Sequence, residues 1–492
     1  MGSLRGVRRL AKIVVAACLV TAGLTTMSQG ASRSIDLRKT PPAVTMTGAY
    51  KVARVGDVNG DGIPDLLVSK GQHGADPSAG IVYVVFNTRR RREVDLREVG
   101  TQGFVIRGTK PNDGASFAAG AGDVNGDGLD DIVVGAPGAD NNGRLDSGSA
   151  YVVFGKKDFL PVHLAEFDAN AQGIQGFRID GPSSRSIAGR YTAGAGDVNG
   201  DGLDDVLVGA PFRGASYVVF GKAIPTPVDL LTFDLGLQGD AGYVIETPSP
   251  GWDDYYSLAG AGDVNGDGTP DVAVGVKNRN PSTMGLYIVF GKQDSEPVDV
   301  LKSRRYGFRI KADHRESVVG IGDVNRDGRD DVAMWSYPDV YVVFGKKSLG
   351  TINLDHLGKR GYLIKGPQYG YAGISMDRLG DLNSDRRPDL VFGAPFMGHN
   401  RRKESGSVFV VFGKGNSKPL NMLNLGGHGY RIDGAQTHNF LGTSVAGPGD
   451  VNGDGVPDVA AGIEGLGDGP DGLPYDDPSD APGQAVIVWG RP

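Results

Sequence analysis

One string constrains this chain more than anything else in it. GDVNGDGLDD stands at 122–131 and again, unchanged, at 196–205. Five relatives of it follow the same pattern: GDVNGDGIPD (56–65), GDVNGDGTPD (262–271), GDVNRDGRDD (322–331), GDLNSDRRPD (380–389) and GDVNGDGVPD (449–458). Their first aspartates fall at 57, 123, 197, 263, 323, 381 and 450, so the repeat length runs from 58 to 74 residues. Self-similarity of this kind marks one supersecondary unit used many times over.

Around every string the same runs come in the same order. A small-residue strand precedes it (AAGAGD, TAGAGD) and an apolar run follows it (DIVVGAP, DVLVGAP, DVAVGV). Next comes an alternating β-branched and aromatic run: IVYVVF, AYVVFG, SYVVFG, LYIVFG, VYVVFG, VFVVFG and finally AVIVWG. A short VDL-type segment and a GF-x-I-x-G run (GFVIRG, GFRIDG, GYVIET, GFRIKA, GYLIKG, GYRIDG) complete the unit. Such short runs, rich in Val, Ile, Tyr and Phe and bounded by Gly, Asn or Asp, are strands. The 79 glycines fit many tight turns between them. Four strands per repeat predict an all-β fold, a seven-bladed β-propeller of four-stranded blades.

The seventh repeat stops after AVIVWG (485–490) without a GF-x-I-x-G run. The missing parts stand at the other end: SIDL (34–37) matches the VDL segments and AVTMTG (43–48) matches the absent run. The N-terminal segment is therefore expected to complete blade seven with its fourth strand, closing a ring that would otherwise have an open edge. The propeller is expected to occupy residues 32–492, as a monomer.

Before it, residues 1–31 read as an export signal. Arg5, Arg8, Arg9 and Lys12 form a basic region, IVVAACLVTAGL (13–24) an apolar one, and Ser28, Gly30 and Ala31 the small residues near which cleavage is expected. The apolar run is too short for a membrane span, which needs about 18 residues. Arg8-Arg9 also permits a twin-arginine route, though the residues after the pair fit it poorly. Val15-Ala16-Ala17-Cys18 resembles a lipoprotein box, but too few apolar residues precede it. Cys18 is the only cysteine, so the exported chain would have no disulfide and needs a large core or bound metal instead. Loss of residues 1–31 removes four basic residues and no acidic one, moving the formal charge from −7 to −11. Nucleic acid demands a basic face and is excluded as a partner. The expected location is secreted, extracellular or at the cell surface, with no integral span after cleavage.

Each copy of D-x-N-x-D-G-x-x-D offers side-chain oxygens at positions 1, 3, 5 and 9, with a backbone carbonyl expected at position 7. The first four sets are Asp57, Asn59, Asp61, Ile63 and Asp65; Asp123, Asn125, Asp127, Leu129 and Asp131; Asp197, Asn199, Asp201, Leu203 and Asp205; and Asp263, Asn265, Asp267, Thr269 and Asp271. The remaining three are Asp323, Asn325, Asp327, Arg329 and Asp331; Asp381, Asn383, Asp385, Arg387 and Asp389; and Asp450, Asn452, Asp454, Val456 and Asp458. Hard oxygen donors in this number suit Ca²⁺, which takes about six to eight oxygens. Glycine at position 6 lets the chain turn with positive φ. The loop resembles an EF-hand loop without its glutamate at position 12 and with strands for helices. No Cys and no paired His accompany it, which excludes soft metals.

Three carboxylates within nine residues repel one another unless a cation sits among them, so up to seven Ca²⁺ ions are expected. They would move the exported chain from −11 to about +3 and couple folding to calcium, at affinities on the order of 10⁻⁴ to 10⁻³ M. The sixth site is expected to be weakest, because Arg386 replaces the glycine and Arg387 follows it. In the fifth loop Arg326 and Arg329 intrude, but the oxygen ligands are intact.

These repeats resemble the FG-GAP repeats of the integrin α-subunit propeller. Gly135-Ala136-Pro137, Gly209-Ala210-Pro211 and Gly393-Ala394-Pro395 match the GAP element, and the aspartate loops match that family's calcium loops. The resemblance covers residues 34–492. It implies calcium loops on a lower face, between the first and second strands of each blade, and ligand binding on the upper face. The chain lacks the family's disulfides, inserted domain, leg domains and membrane span, so a free-standing secreted version is implied, without integrin-type signalling or a β-subunit.

On that topology, Trp252, Tyr255, Tyr256, Tyr369 and Tyr371, with Phe212 and Phe396, fall in upper-face loops and are candidate ligand contacts. Packing between blades is the competing reading, and Trp335 is expected in the core. The stretch at 465–480 is acidic and rich in Pro and Gly, a solvated insertion. Catalytic signals are faint. GTSVAG (442–447) lacks the spacing of a nucleophile elbow, GAGDVNG has the wrong glycine spacing for a dinucleotide fold, and the seven histidines are scattered. His314, His399 and His438 lie in loops, and Asp253 and Asp254 could pair as carboxylates. The reading is a calcium-bearing adhesion or recognition module for an extracellular polysaccharide or protein, not an enzyme. A calcium-dependent polysaccharide lyase or hydrolase on the same scaffold is the alternative.

Overall fold

The computed structural model describes residues 34–70, 79–86, 92–168, 175–248, 256–276, 280–302, 305–312, 317–368, 370–464 and 483–491. The expected export signal and the acidic stretch at 465–480 lie outside them. The described chain forms a seven-bladed all-β propeller with a single α-helical turn, Leu230–Asp234, and a few 3₁₀ turns. No described helix is long and apolar enough to cross a membrane.

Blades are numbered here by the aspartate loop they carry. Blade two shows the pattern. Phe117–Gly122 lies innermost, followed outward by Asp131–Ala136, Ser149–Val153 and Gly176–Asp180, each antiparallel to the last. Between Gly120 and Gly122 the register slips by a bulge, which ends the inner strand and throws the chain into its loop. All six residues of Asp131–Ala136 are buried. Neighbouring sheets cover both of its faces, which is why this strand reads as a continuous apolar run and not an alternating one.

The expectation of four strands per blade is corrected by one: each sheet has five. The fifth is the VDL-type segment of the following repeat, laid parallel on the fourth strand, as Val228–Asp229 lies on Gly176–Asp180. Two or three residues suffice, and a segment that short carries no alternation by which to know it as a strand.

The N-terminal segment takes part in two sheets. Ser34–Asp36 lies parallel on Gly429–Asp433 as the fifth strand of blade six. Val44–Thr47 lies antiparallel to Gln484–Val488, with Val44 opposite Ile487, in the sheet of blade seven. Innermost strands contact one another around the ring, Lys51–Gly56 touching both Phe117–Gly122 and Val445–Gly449. Small residues make this approach possible. A Cβ on Gly120 would lie 2.9 Å from the Val55 Cα, and one on Gly320 would lie 2.6 Å from the Gly260 carbonyl. The core is divided into clusters between neighbouring sheets; one joins Val152 and Phe177 of blade two to Val208, Tyr217 and Val244 of blade three.

Candidate cation loops and an aromatic face

Every aspartate loop joins the first strand of a blade to the second, so the described topology puts all seven at one end of the ring, here the lower face. Within each loop the position-1 carboxylate accepts the N–H groups of positions 5 and 6, at 2.6–3.1 Å. The position-5 carboxylate accepts the N–H of position 7, from Ile63 onto Asp61 to Val456 onto Asp454. Position 7 thus spends its N–H inward and keeps its carbonyl. The glycines at position 6 have φ of 81–95°.

Position 9 stands behind the loop. Asp131, Asp205, Asp271, Asp331, Asp389 and Asp458 are fully buried, and Asp65 nearly so. Each accepts the position-2 N–H at 2.9–3.1 Å. In blades two to seven each also accepts the N–H of the glycine two residues past the third strand, such as Gly155 or Gly221. Burial pushes the carboxyls of Asp131, Asp205, Asp271 and Asp331 up to about 8, and the carboxylates at positions 1 and 5 push in the same direction. Asp389 and Asp458 rise to about 7 for the same reasons.

All-oxygen donors under mutual repulsion are the chemistry a hard divalent cation relieves, and in that sense the residues fit Ca²⁺. Among the described residues, however, no three carboxylate or imidazole groups are drawn into one metal-sized cage. The carboxylates are held as Asx turns. The asparagines differ between loops: Asn125, Asn199 and Asn383 accept the position-5 N–H, whereas Asn59, Asn265, Asn325 and Asn452 donate to position 9.

The two basic loops divide differently than the residue types suggest. In the sixth, Arg386 adopts φ +67°, yet its N–H still reaches Asp381 at 2.6 Å, and Arg387 turns its guanidinium away onto the Val324 carbonyl at 2.7 Å. In the fifth, Arg329 folds back on its own loop and pairs with Asp327 at 2.8 Å. That pair competes with any cation for a position-5 carboxylate; a basic residue two places after an aspartate was the available signal. Arg386→Gly is expected to stabilise the chain by about 1 kcal/mol, since left-handed backbone costs a non-glycine residue about 1–2 kcal/mol, read as a higher denaturant midpoint.

Loops also grip one another, which sequence reasoning missed. The position-8 carboxylates of Asp130, Asp204 and Asp330 accept the N–H of Asp57, Asp123 and Asp263 in the preceding blade, at 2.7–2.9 Å. Elsewhere position 8 is proline, and Pro270 faces Gly196 as Pro64 faces Gly449.

At the opposite end, the second-to-third and fourth-to-first connections form the upper face. Trp252, Tyr255, Tyr369, Asp253, Asp254 and His314 lie outside the described residues, and Tyr256 begins the inner strand of blade four. Tyr371 is described, with φ +48° and 39% of its surface exposed. It touches Phe396, 44% exposed, at 5.5 Å between ring centroids. Tyr337 lies 5.7 Å away on its other side, and Phe440 lies 5.7 Å beyond Phe396. Trp335 is core, as expected, but its ring floors this patch 6.0 Å from Tyr371, with a buried indole N–H that has no partner among the described residues. His438, 3.6 Å from Glu404, flanks Phe440. Burial lowers the pKa of nearby His399. Four loops of blades five to seven therefore build one continuous aromatic surface. Phe212 stands apart in the Pro211–Arg213 turn of blade three.

Comparison with known proteins agrees with this architecture. The FG-GAP repeat family model matches residues 52–85, 115–153, 189–220 and 255–300, in blades one to four. Integrin alpha pat-2 of Caenorhabditis briggsae is 28% identical over 225 residues, 41% of this chain and 17% of that protein. Phosphatidylinositol-glycan-specific phospholipase D of Bos taurus is 33% identical over 165 residues, 31% of this chain and 17% of that protein. Integrin alpha-8 of Gallus gallus is 28% identical over 44% of this chain and 21% of its own length. The chain thus spans about a fifth of the length of such relatives. Among solved structures, a BBS1N–ARL6DN complex is similar at TM-score 0.43 and 11% identity, covering 92% of this chain and 95% of that one; a likeness this loose says nothing of function. Blades one to four therefore carry FG-GAP repeats, and the chain is a seven-bladed β-propeller similar to integrin α chains.

Proposed function

We propose that this propeller is a secreted recognition module that presents its upper face to an extracellular polysaccharide or protein, with Ca²⁺ bound structurally in the lower-face loops. The carrying observation is the aromatic surface around Tyr371 and Phe396, which lies at the end of the ring opposite the aspartate loops. Half-exposed rings over a buried Trp suit stacking on sugar faces or anchoring a protein segment. Asp57, Asn59, Asp61 and the Ile63 carbonyl, with their counterparts in the other loops, would hold the cation, and the buried position-9 carboxylates would close the site from behind. The ion would supply charge neutralisation, leaving the hairpins fixed.

Incubation of the chain with acidic and neutral polysaccharides in millimolar calcium, followed by co-sedimentation and polymer sizing, tests this reading. Retention without change of polymer length is expected. The double variant Tyr371→Ala, Phe396→Ala should weaken it about 10-fold or more, the loss usual for central aromatic anchors. Shortened polymer would replace the reading by a lyase or hydrolase and direct attention to His399 and His438.

A further inference from the structure

The central channel is walled largely by Ala and Gly, as in FAAGAG, YTAGAG and VAGPG, within a chain of formal charge −7. Against that background its cations stand out. Between the inner strands of blades one to four, at the upper mouth, lies a cavity of about 220 Å³ bordered by Lys51, Ser69, Ser116, Phe117, Arg190 and Tyr191. Lys51 opens the inner strand of blade one and Arg190 immediately precedes that of blade three. Both side chains reach solvent, and among the described residues neither forms an ion pair. The crowded wall pulls the Lys51 ammonium below its usual pKa; Glu464 opposes that effect and Arg190 adds to it.

The neighbouring hydroxyls are already committed as donors, Ser69 to the Ser116 carbonyl at 3.0 Å and Thr192 to the Phe117 carbonyl at 3.4 Å. Two cations facing one cavity repel each other. Deeper in the channel, Arg54 and Arg378 occupy the place that glycine holds in the other blades, as Gly120 and Gly320 do, two residues before the strand-ending glycine. Arg54 stands 3.4 Å from Asp377, so only part of this deeper charge is compensated.

We propose that this cavity is an anion site, separate from the aromatic face, which takes a carboxylate or sulfate group entering from the upper side. Arg190 offers a planar fork and Lys51 a point charge; Phe117 and Tyr191 flank the apolar stem that carries the group. Charge-assisted contacts of this kind are the strong ones, and each lost cation should cost about 10-fold or more in affinity.

Calorimetric titration of the full chain at low ionic strength, in millimolar calcium, with sodium sulfate and separately with glucuronate tests the site. Both probes are expected to bind saturably and to compete. Arg190→Gln and Lys51→Met should each weaken binding about 10-fold or more, while Lys359→Met, an exposed cation elsewhere, leaves it unchanged. Sulfate alone binding would assign the site to the free inorganic ion and overturn the organic carboxylate. Because both side chains reach solvent, the variants should fold; a rise in Tm on adding sulfate, present in the parent chain and lost in Lys51→Met, provides a second readout. Absence of saturable binding by the parent chain, or equal binding by both cavity variants, overturns the proposal.

Discussion

Excess chelator should destabilise this ring by about 3–10 kcal/mol relative to millimolar calcium. A site of 10⁻⁴–10⁻³ M affinity at about 1 mM free ion contributes about 0.4–1.4 kcal/mol, and seven loops act together. The structural basis is the buried position-9 carboxylate. Asp205 lies at 0% exposure with Asp201 and Asp197 close enough to raise its pKa, and among the described residues it forms no ion pair. Without an ion, the same repulsion acts in blades two to seven. Thermal unfolding in calcium and in chelator measures the difference, and superimposed curves would mean that the loops are Asx turns and nothing more. The fifth and sixth loops should respond least, the fifth because Arg329 already pairs with Asp327 and the sixth because Arg386 replaces the glycine. An Arg329→Ala chain is therefore expected to lose more stability on chelation than the parent does.

A comparable loss is expected from removing residues 34–47. Leu37, Val44 and Met46 are 4%, 0% and 0% exposed, and burying three such side chains contributes about 5–9 kcal/mol. Their loss also bares Gln484–Val488 as a sheet edge, which invites pairing with another chain. Denaturant midpoint and size-exclusion chromatography report the two effects. Met46→Ala alone should cost about 2–5 kcal/mol, the range for deleting a large buried side chain. A truncated chain that stays monomeric with an unchanged midpoint would show that the N-terminal strands are dispensable to the ring.

Most of the scaffold was legible because its signals are local. Apolar runs such as DIVVGA, the glycine-ended inner strands and the seven loops each lie within about ten residues, over which strand composition and turn chemistry act. The upper-face candidates were legible only in part. Tyr371 lies in the connection from blade five to blade six and Phe396 after the second strand of blade six, so their contact depends on how that connection folds back on blade six. The parallel VDL strands escaped notice because two residues have no period.

Sequence alone therefore determined the number of blades, the composition of their strands and the chemistry of the loops, since each is encoded between near neighbours. Only the tertiary structure decided which charges meet. Arg329 on Asp327, Asp130 on the Asp57 amide, and Lys51 beside Arg190 are outcomes of backbone curvature and ring geometry. Electrostatic energy depends on separation in space, and residue order does not carry that separation across a closed ring.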